Sequence, residues 1–168
     1  MGGGGGGGTS YAGTNNIDIL EGIAREEIQK EIQPSRRRVF VSFRHTDKTK
    51  VDLLRGQAKN ENGELDFIDM GLRVPFDSEN AEYIRSGIRS RIEQSSVTLV
   101  AVSETTHESK WVNWEIRESL KLGKSVVVVK ISNDSSMKMP DAVNENRSKI
   151  QVVSWNHSEI MNAINSAA

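Results

Sequence analysis

Cysteine is missing from all 168 residues. Its absence excludes disulfides, zinc–thiolate sites, iron–sulfur clusters and thiol nucleophiles, and leaves any chemistry to oxygen and nitrogen groups. An excess of one charge is missing too: 22 Lys+Arg stand against 23 Asp+Glu, so nucleic acid is not an expected partner. No apolar run reaches the length of a transmembrane helix, and the N-terminus lacks the basic-then-apolar layout of a secretory signal. These two absences lead us to expect a cytoplasmic protein with no membrane partner. The Asn-x-Ser tripeptides at Asn133, Asn146 and Asn156 are then not expected to carry sugar, because such a chain does not meet the secretory machinery.

Several motifs are present only in part. Gly123-Lys124-Ser125 resembles the tail of a phosphate-binding loop, but the upstream glycine of that motif falls on Glu118, and the tripeptide precedes an apolar strand instead of following one. No Gly-x-Gly-x-x-Gly follows the first strand, which argues against a dinucleotide-binding fold of the Rossmann kind. That strand also lacks the acidic cluster of a receiver domain and the hydroxyl- and glycine-rich turn of a flavodoxin. Gly2 invites an N-myristoylation reading, but Gly6 occupies the position that needs Ser or Thr. His45, His107 and His157 are scattered with no carboxylate or histidine at ligand spacing, so no metal is expected. A Gly-x-Ser-x-Gly elbow is absent as well.

The length allows one domain with a real core plus extra sequence at an end. Met1 to Asn16, with seven glycines at Gly2 to Gly8, reads as a disordered tail over 1–16. Residues 17–35 read as an amphipathic helix and linker: Ile17, Leu20, Ala24, Ile28 and Ile32 recur at helical spacing, Asn15 and Asp18 sit like a capping pair, and Pro34 follows. That helix is expected to pack on the domain or to hold a partner.

From residue 36 onward the pattern alternates strands and helices. Strands are expected over Arg38–Phe43, Leu65–Ile68, Val97–Val102, Ser125–Ile131 and Ile150–Val153. Helices are expected over Asp47–Lys59, Asn80–Gln94, Lys110–Leu122 and His157–Ala167, with Gly123 stopping the third. Inner strands that are apolar on both faces imply a parallel sheet covered on both sides, hence an α/β doubly wound domain in the order 2-1-3-4-5. Ligands in such sheets sit at the carboxyl ends of the strands, which directs attention to the loops 44–47, 69–79, 103–109 and 132–146.

On the helix from Lys110 the core stripe is Val112, Ile116, Ser119 and Leu120, while Trp111 and Glu115 lie one above the other along its edge. The positions three and four residues from Glu115 are Trp111, Val112, Glu118 and Ser119, none of which can form an ion pair with it. A site role, a remote partner such as Arg44 and a plain solvated charge all remain open for this glutamate.

Three segments together, VFVSFRHTD, SSVTLVAVSETTHESKW and WVNWEIRESLKLGKSVVVV, resemble a Toll/interleukin-1-receptor-like (TIR) domain over roughly Arg38 to Trp155. The resemblance is to the compact bacterial branch that includes the small TIR proteins of Thoeris antiphage defence. It implies a flavodoxin-like five-stranded fold which, in enzymatic members, cleaves NAD between nicotinamide and ribose. It maps the catalytic glutamate onto Glu115, the family tryptophan onto Trp111, and the nucleotide-lining turn onto Phe43, Arg44 and His45. The loop 69–79 corresponds to the segment such domains use for self-association. NAD would be the substrate, with no cofactor and no metal, and a downstream effector would respond to the linear or cyclic ADP-ribose-type product. A non-catalytic self-association or adaptor module is the alternative, and a flavin- or nucleotide-binding flavodoxin relative is a third reading.

Overall fold

The computed structural model describes residues 17, 19–25, 37–61, 65–68 and 74–167. The chain divides into a first unit, Met1–Ser35, and a second, Arg36–Ala168. In the first unit, residues 17 and 19–25 are helical (α1), within the expected helix. The expected Gly-rich tail, the Asn15/Asp18 capping pair, Ile28 and Ile32 lie outside the described residues.

The second unit runs β1 (Arg37–Ser42), α2 (Lys48–Glu61), β2 (Leu65–Ile68), α3 (Ala81–Glu93), β3 (Val97–Val102), α4 (Lys110–Lys121), β4 (Ser125–Lys130), α5 (Asp141–Glu145), β5 (Ile150–Ser154) and α6 (His157–Ser166). All four strand pairings are parallel and the order is β2-β1-β3-β4-β5, the expected doubly wound arrangement. The registers set Val39 beside Val97 and Val97 beside Ser125.

Alternation along the strands divides the core into two layers. Val97, Leu99 and Ala101 of β3 and Val127 and Val129 of β4 cluster with Val51 and Leu54 of α2 and Ile160 and Ile164 of α6. Val100, Val102, Val126 and Val128 join Val112 and Ile116 of α4 and Ala142 and Val143 of α5. Full burial of a valine- or isoleucine-sized side chain contributes about 1.5–3 kcal/mol, so these two layers carry most of the stabilisation of the sheet.

Local sequence sets the ends of α4. Ser109 caps its start, its hydroxyl accepting from the Val112 N–H at 3.2 Å. Gly123, at φ 71°, closes its end. There the Gly123 N–H bonds the Leu120 carbonyl at 3.0 Å and the Lys124 N–H bonds the Ser119 carbonyl at 2.9 Å, a Schellman motif that needs the left-handed conformation glycine adopts freely. Lys124 Nζ then donates to the carbonyls of Glu93 and Ser95, both at 2.9 Å. Gly-Lys-Ser is thus a helix stop and a strut to the end of α3.

Two differences from the sequence reading stand out. The segment after β4, read as loop over 132–146, contains the five-residue α5. Such a helix is too short to show a 3.6-residue apolar period. The first strand ends at Ser42, leaving Phe43 just beyond it.

Candidate functional site

The carboxyl ends of β1 and β3 lie side by side, with Ser42 in register with Val100. After β1 comes a single 3-10 turn, His45–Asp47; after β3 comes another, Thr106–Glu108, which leads into α4. The two turns are pinned together below their surface. Asp47 is buried and its carboxylate accepts from Ser103 Oγ at 2.8 Å, while the Ser103 N–H donates to Thr106 Oγ1, also at 2.8 Å.

Above this brace Arg44 Nη1 donates to the Thr105 carbonyl at 2.6 Å and to Glu108 Oε2 at 2.9 Å. The guanidinium hydrogen bond holds the Glu108 carboxyl below its ordinary value, opposed by a smaller desolvation effect.

Glu115 is not at the helix edge, as spacing alone suggested, but fully buried at 0% exposure. The stripe of α4 that faces the protein is wide enough to take in Trp111 and Glu115 along with Val112, Ile116 and Ser119. Burial of a carboxylate requires polar partners. Ser42 Oγ, from the end of β1, donates to Glu115 Oε2. One turn on, Ser119 Oγ reaches the Glu115 carbonyl at 2.7 Å and lies 2.8 Å from Thr98 Oγ1, which ties α4 to β3 through buried hydroxyls.

Trp111 is buried at 7% exposure. Its Nε1–H donates to the Val74 carbonyl at 2.8 Å, and its ring meets Phe76 and Trp114 edge to face at 5.0 and 6.0 Å between centroids. It therefore joins α4 to the described part of the connection between β2 and α3. Residues 69–73 of that connection lie outside the described residues.

The sequence-derived site residues thus fall into four places, that of Trp111 being the contact with Val74 and Phe76. Glu115 and Arg44 flank the β1/β3 edge, with Arg44 engaged by Glu108 rather than by Glu115. Phe43 belongs to the core, 9% exposed, with the Arg55 guanidinium 5.9 Å from its ring centroid. His45 is exposed. Ser42, Asp47, Ser103 and Thr106 were not singled out from sequence. The one signal for Ser42 is a hydroxyl residue inside the apolar run RVFVSF.

Beside the first half of α4 a cleft of about 390 Å³ is lined by Phe76, His107, Lys110, Asn113, Trp114 and Asp141 among others; Glu115 is not on its wall. Among the described residues no group of three or more His, Asp or Glu side chains could hold a metal ion. No described helix is long and apolar enough to cross a membrane.

A parallel five-stranded sheet in the 2-1-3-4-5 order, with flanking helices and a carboxylate enclosed at its β1/β3 switch point, defines a flavodoxin-like α/β domain. The family model described as "Thoeris protein ThsB, TIR-like domain" matches residues 40–136, more than half of the chain, and the chain belongs to that family. None of the curated proteins compared matches it. Among solved structures, a 2-deoxyribosyltransferase from Bacillus psychrosaccharolyticus is similar at 13% identity and TM-score 0.52, over 74% of this chain and 90% of that one. A CMP N-glycosidase, BcmB, from Clostridium botulinum aligns at 10% identity and TM-score 0.46, over 79% and 100%. The TIR domains of the activated Roq1 resistosome align at 16% identity and TM-score 0.40, over 78% and 81%. At 13% identity the likeness to the deoxyribosyltransferase concerns the fold alone.

Proposed function

We propose that this chain is an NAD-cleaving TIR-like signalling enzyme of bacterial antiphage defence, which breaks the nicotinamide–ribose bond and releases a linear or cyclic ADP-ribose-type product. The observation that carries the reading is the Glu115 carboxylate, enclosed at the carboxyl end of β1 and held by Ser42. A carboxylate kept away from water acts strongly on a developing positive charge.

The reaction asks little else of the protein. Nicotinamide leaves as a neutral base by taking the electrons of its bond to the ribose, so no general acid is needed, and the ribose becomes oxocarbenium-like. Glu115 stabilises or orients that centre. Attack by water then gives ADP-ribose and a proton, whereas attack by an internal hydroxyl gives a cyclic product and the same proton. Trp111 supplies an apolar wall near the nicotinamide or ribose. Arg44 exchanges the Glu108 carboxylate for a pyrophosphate oxygen of the substrate, a swap of one charge-assisted bond for another. Phe43 and His45 complete the turn on which Arg44 sits, Phe43 from within the core. NAD is substrate, and no further cofactor or metal is called for.

Because Glu115 has no exposed surface, substrate reaches it only when the groups around it part. On this reading self-association of the TIR-like domain brings the change about, and a separate effector responds to the product. The same burial favours a second reading, in which Glu115 is a structural carboxylate and the domain is a non-catalytic self-association module.

Nicotinamide release from NAD, followed by chromatography on concentrated purified protein, separates the two. The enzyme reading expects release in the wild type and a loss of at least about a hundredfold in Glu115→Gln, the scale seen when one transition-state electrostatic group is removed. Undiminished release by Glu115→Gln would remove Glu115 from the chemistry. A folded, assembled wild type that releases nothing would support the second reading.

A further inference from the structure

Away from the β1/β3 edge, β4 and β5 present a second recess. Val126, Val128 and Lys130 of β4 alternate onto one face of the sheet, as do Ile150 and Val152 of β5. The helix following β4, α5, has only five residues, and Val152 remains 42% exposed. The cleft there has a volume of about 420 Å³ and is lined by Lys130, Arg147, Met137, Met139, Val143 and Val152 along with Ile150.

Among the described residues no acidic side chain lines this cleft. Several other basic groups of the domain are answered by carboxylates: Arg44 by Glu108 at 2.9 Å, Lys110 by Asp77 at 2.7 Å, Arg117 by Glu145 at 2.9 Å and Arg89 by Glu118 at 2.6 Å. Lys130 forms no ion pair among the described residues. Arg147 directs Nε and Nη2 to the neutral Asn144 Oδ1 at 3.2 and 2.8 Å and has no carboxylate partner among them. The nearest acids by sequence are engaged elsewhere, Glu145 by Arg117 and Asp134 by the Ser136 N–H and hydroxyl.

Two cations with no carboxylate partner among the described residues line this one small cleft and attract an anion, and their field is focused by the apolar surface around them. The rest of the lining is of another character. Met137 and Met139 are half-buried and pack on the core layer of α4 and α5. Unbranched thioether side chains adapt to apolar shapes that a rigid wall would reject. The recess falls within the size range of small-ligand sites.

We propose that this cleft is a binding site for a small amphiphilic anion. An anionic head of the phosphate type is bound by Lys130 and Arg147, and an apolar body lies against Met137, Met139 and Val152. The site shares no lining residue with the β1/β3 edge, so its existence does not depend on how Glu115 is used.

Hexyl phosphate is a direct probe, titrated into full-length protein carrying methyl-labelled methionine and observed by NMR. Saturable shifts concentrated on Met137 and Met139 are expected, with binding about tenfold weaker in Lys130→Ala and in Arg147→Ala, as for loss of one charge-assisted bond. Lys121→Ala, exposed on α4 and outside the cleft, should bind like the wild type. Inorganic phosphate and hexanol should each bind more weakly than hexyl phosphate. Shifts scattered over all five methionines, or equal affinity in the Lys130, Arg147 and Lys121 variants, would overturn the site. Equal affinity for inorganic phosphate and hexyl phosphate would overturn the role of the apolar wall.

Discussion

Ser42→Ala removes one hydroxyl from the end of β1 and leaves the backbone ladder intact. Both Ser42 and Glu115 are at 0% exposure, so water cannot replace the lost donor without opening the structure. A hydrogen bond to a charged group contributes about 1.5–3 kcal/mol, and that is the destabilisation expected. For a domain between the small and medium size classes, each kcal/mol lowers Tm by roughly 3–5 °C, so the melting point should fall by about 5–15 °C. Urea unfolding followed by tryptophan fluorescence reads the change directly, since Trp111 and Trp114 lie on the same helix as Glu115. A double-mutant cycle isolates the pair. Glu115→Gln keeps the shape and an acceptor oxygen but removes the charge, so the loss of the hydroxyl should cost about 1 kcal/mol less in that background. The reasoning fails if Ser42→Ala lies within about 0.5 kcal/mol of the wild type, or if the two substitutions add within about 0.5 kcal/mol.

Trp111→Phe keeps a ring against Phe76 but deletes the donor to the Val74 carbonyl, and amide exchange near residues 74–78 should accelerate while α4 stays protected. Gly123→Ala should destabilise by about 1–2 kcal/mol through the left-handed backbone alone, because no atom lies within 4 Å of the added carbon; Gly123→Asn should cost less. The Glu108 carboxyl should titrate below the ordinary carboxylate range by NMR and return toward it in Arg44→Gln. Its depressed folded-state pKa means that the stabilisation is present above the unfolded carboxylate pKa and lost as pH falls through the folded value. A Glu108 midpoint unchanged by Arg44→Gln would refute the pairing.

The sheet was legible because VTLVAV, apart from Thr98, and VVVV of β4 are continuous apolar runs, the mark of strands covered on both faces. The stop of α4 was legible because Gly123 has a local stereochemical reason to be there. The setting of Glu115 was not. Helical spacing locates a residue relative to its own helix, but the partner hydroxyl lies 73 positions away on another element. The pairing of Arg44 with Glu108, 64 positions away, was hidden for the same reason. In the sequence Asp47 stands where a loop meets the expected second helix and Ser103 opens a loop, and only the adjacency of β1 and β3 brings them together. Phe43 shows the converse: read as the last residue of the first strand, it could equally face a ligand or the core, and packing resolved it toward the core.

The strand order also has a kinetic side. No strand of this sheet pairs with its partner through a tight hairpin; every pairing is parallel and separated by a helical crossover. β1 occupies a position between β2 and β3, yet Val39 finds Val97 only after two helices and β2 have intervened. When the chain emerges from its N-terminus, the apolar run of β1 must wait for about half of the domain before its second edge is covered. Closing such long loops before contacts reward them slows folding. During that interval VFVSF is open to pairing with the wrong chain.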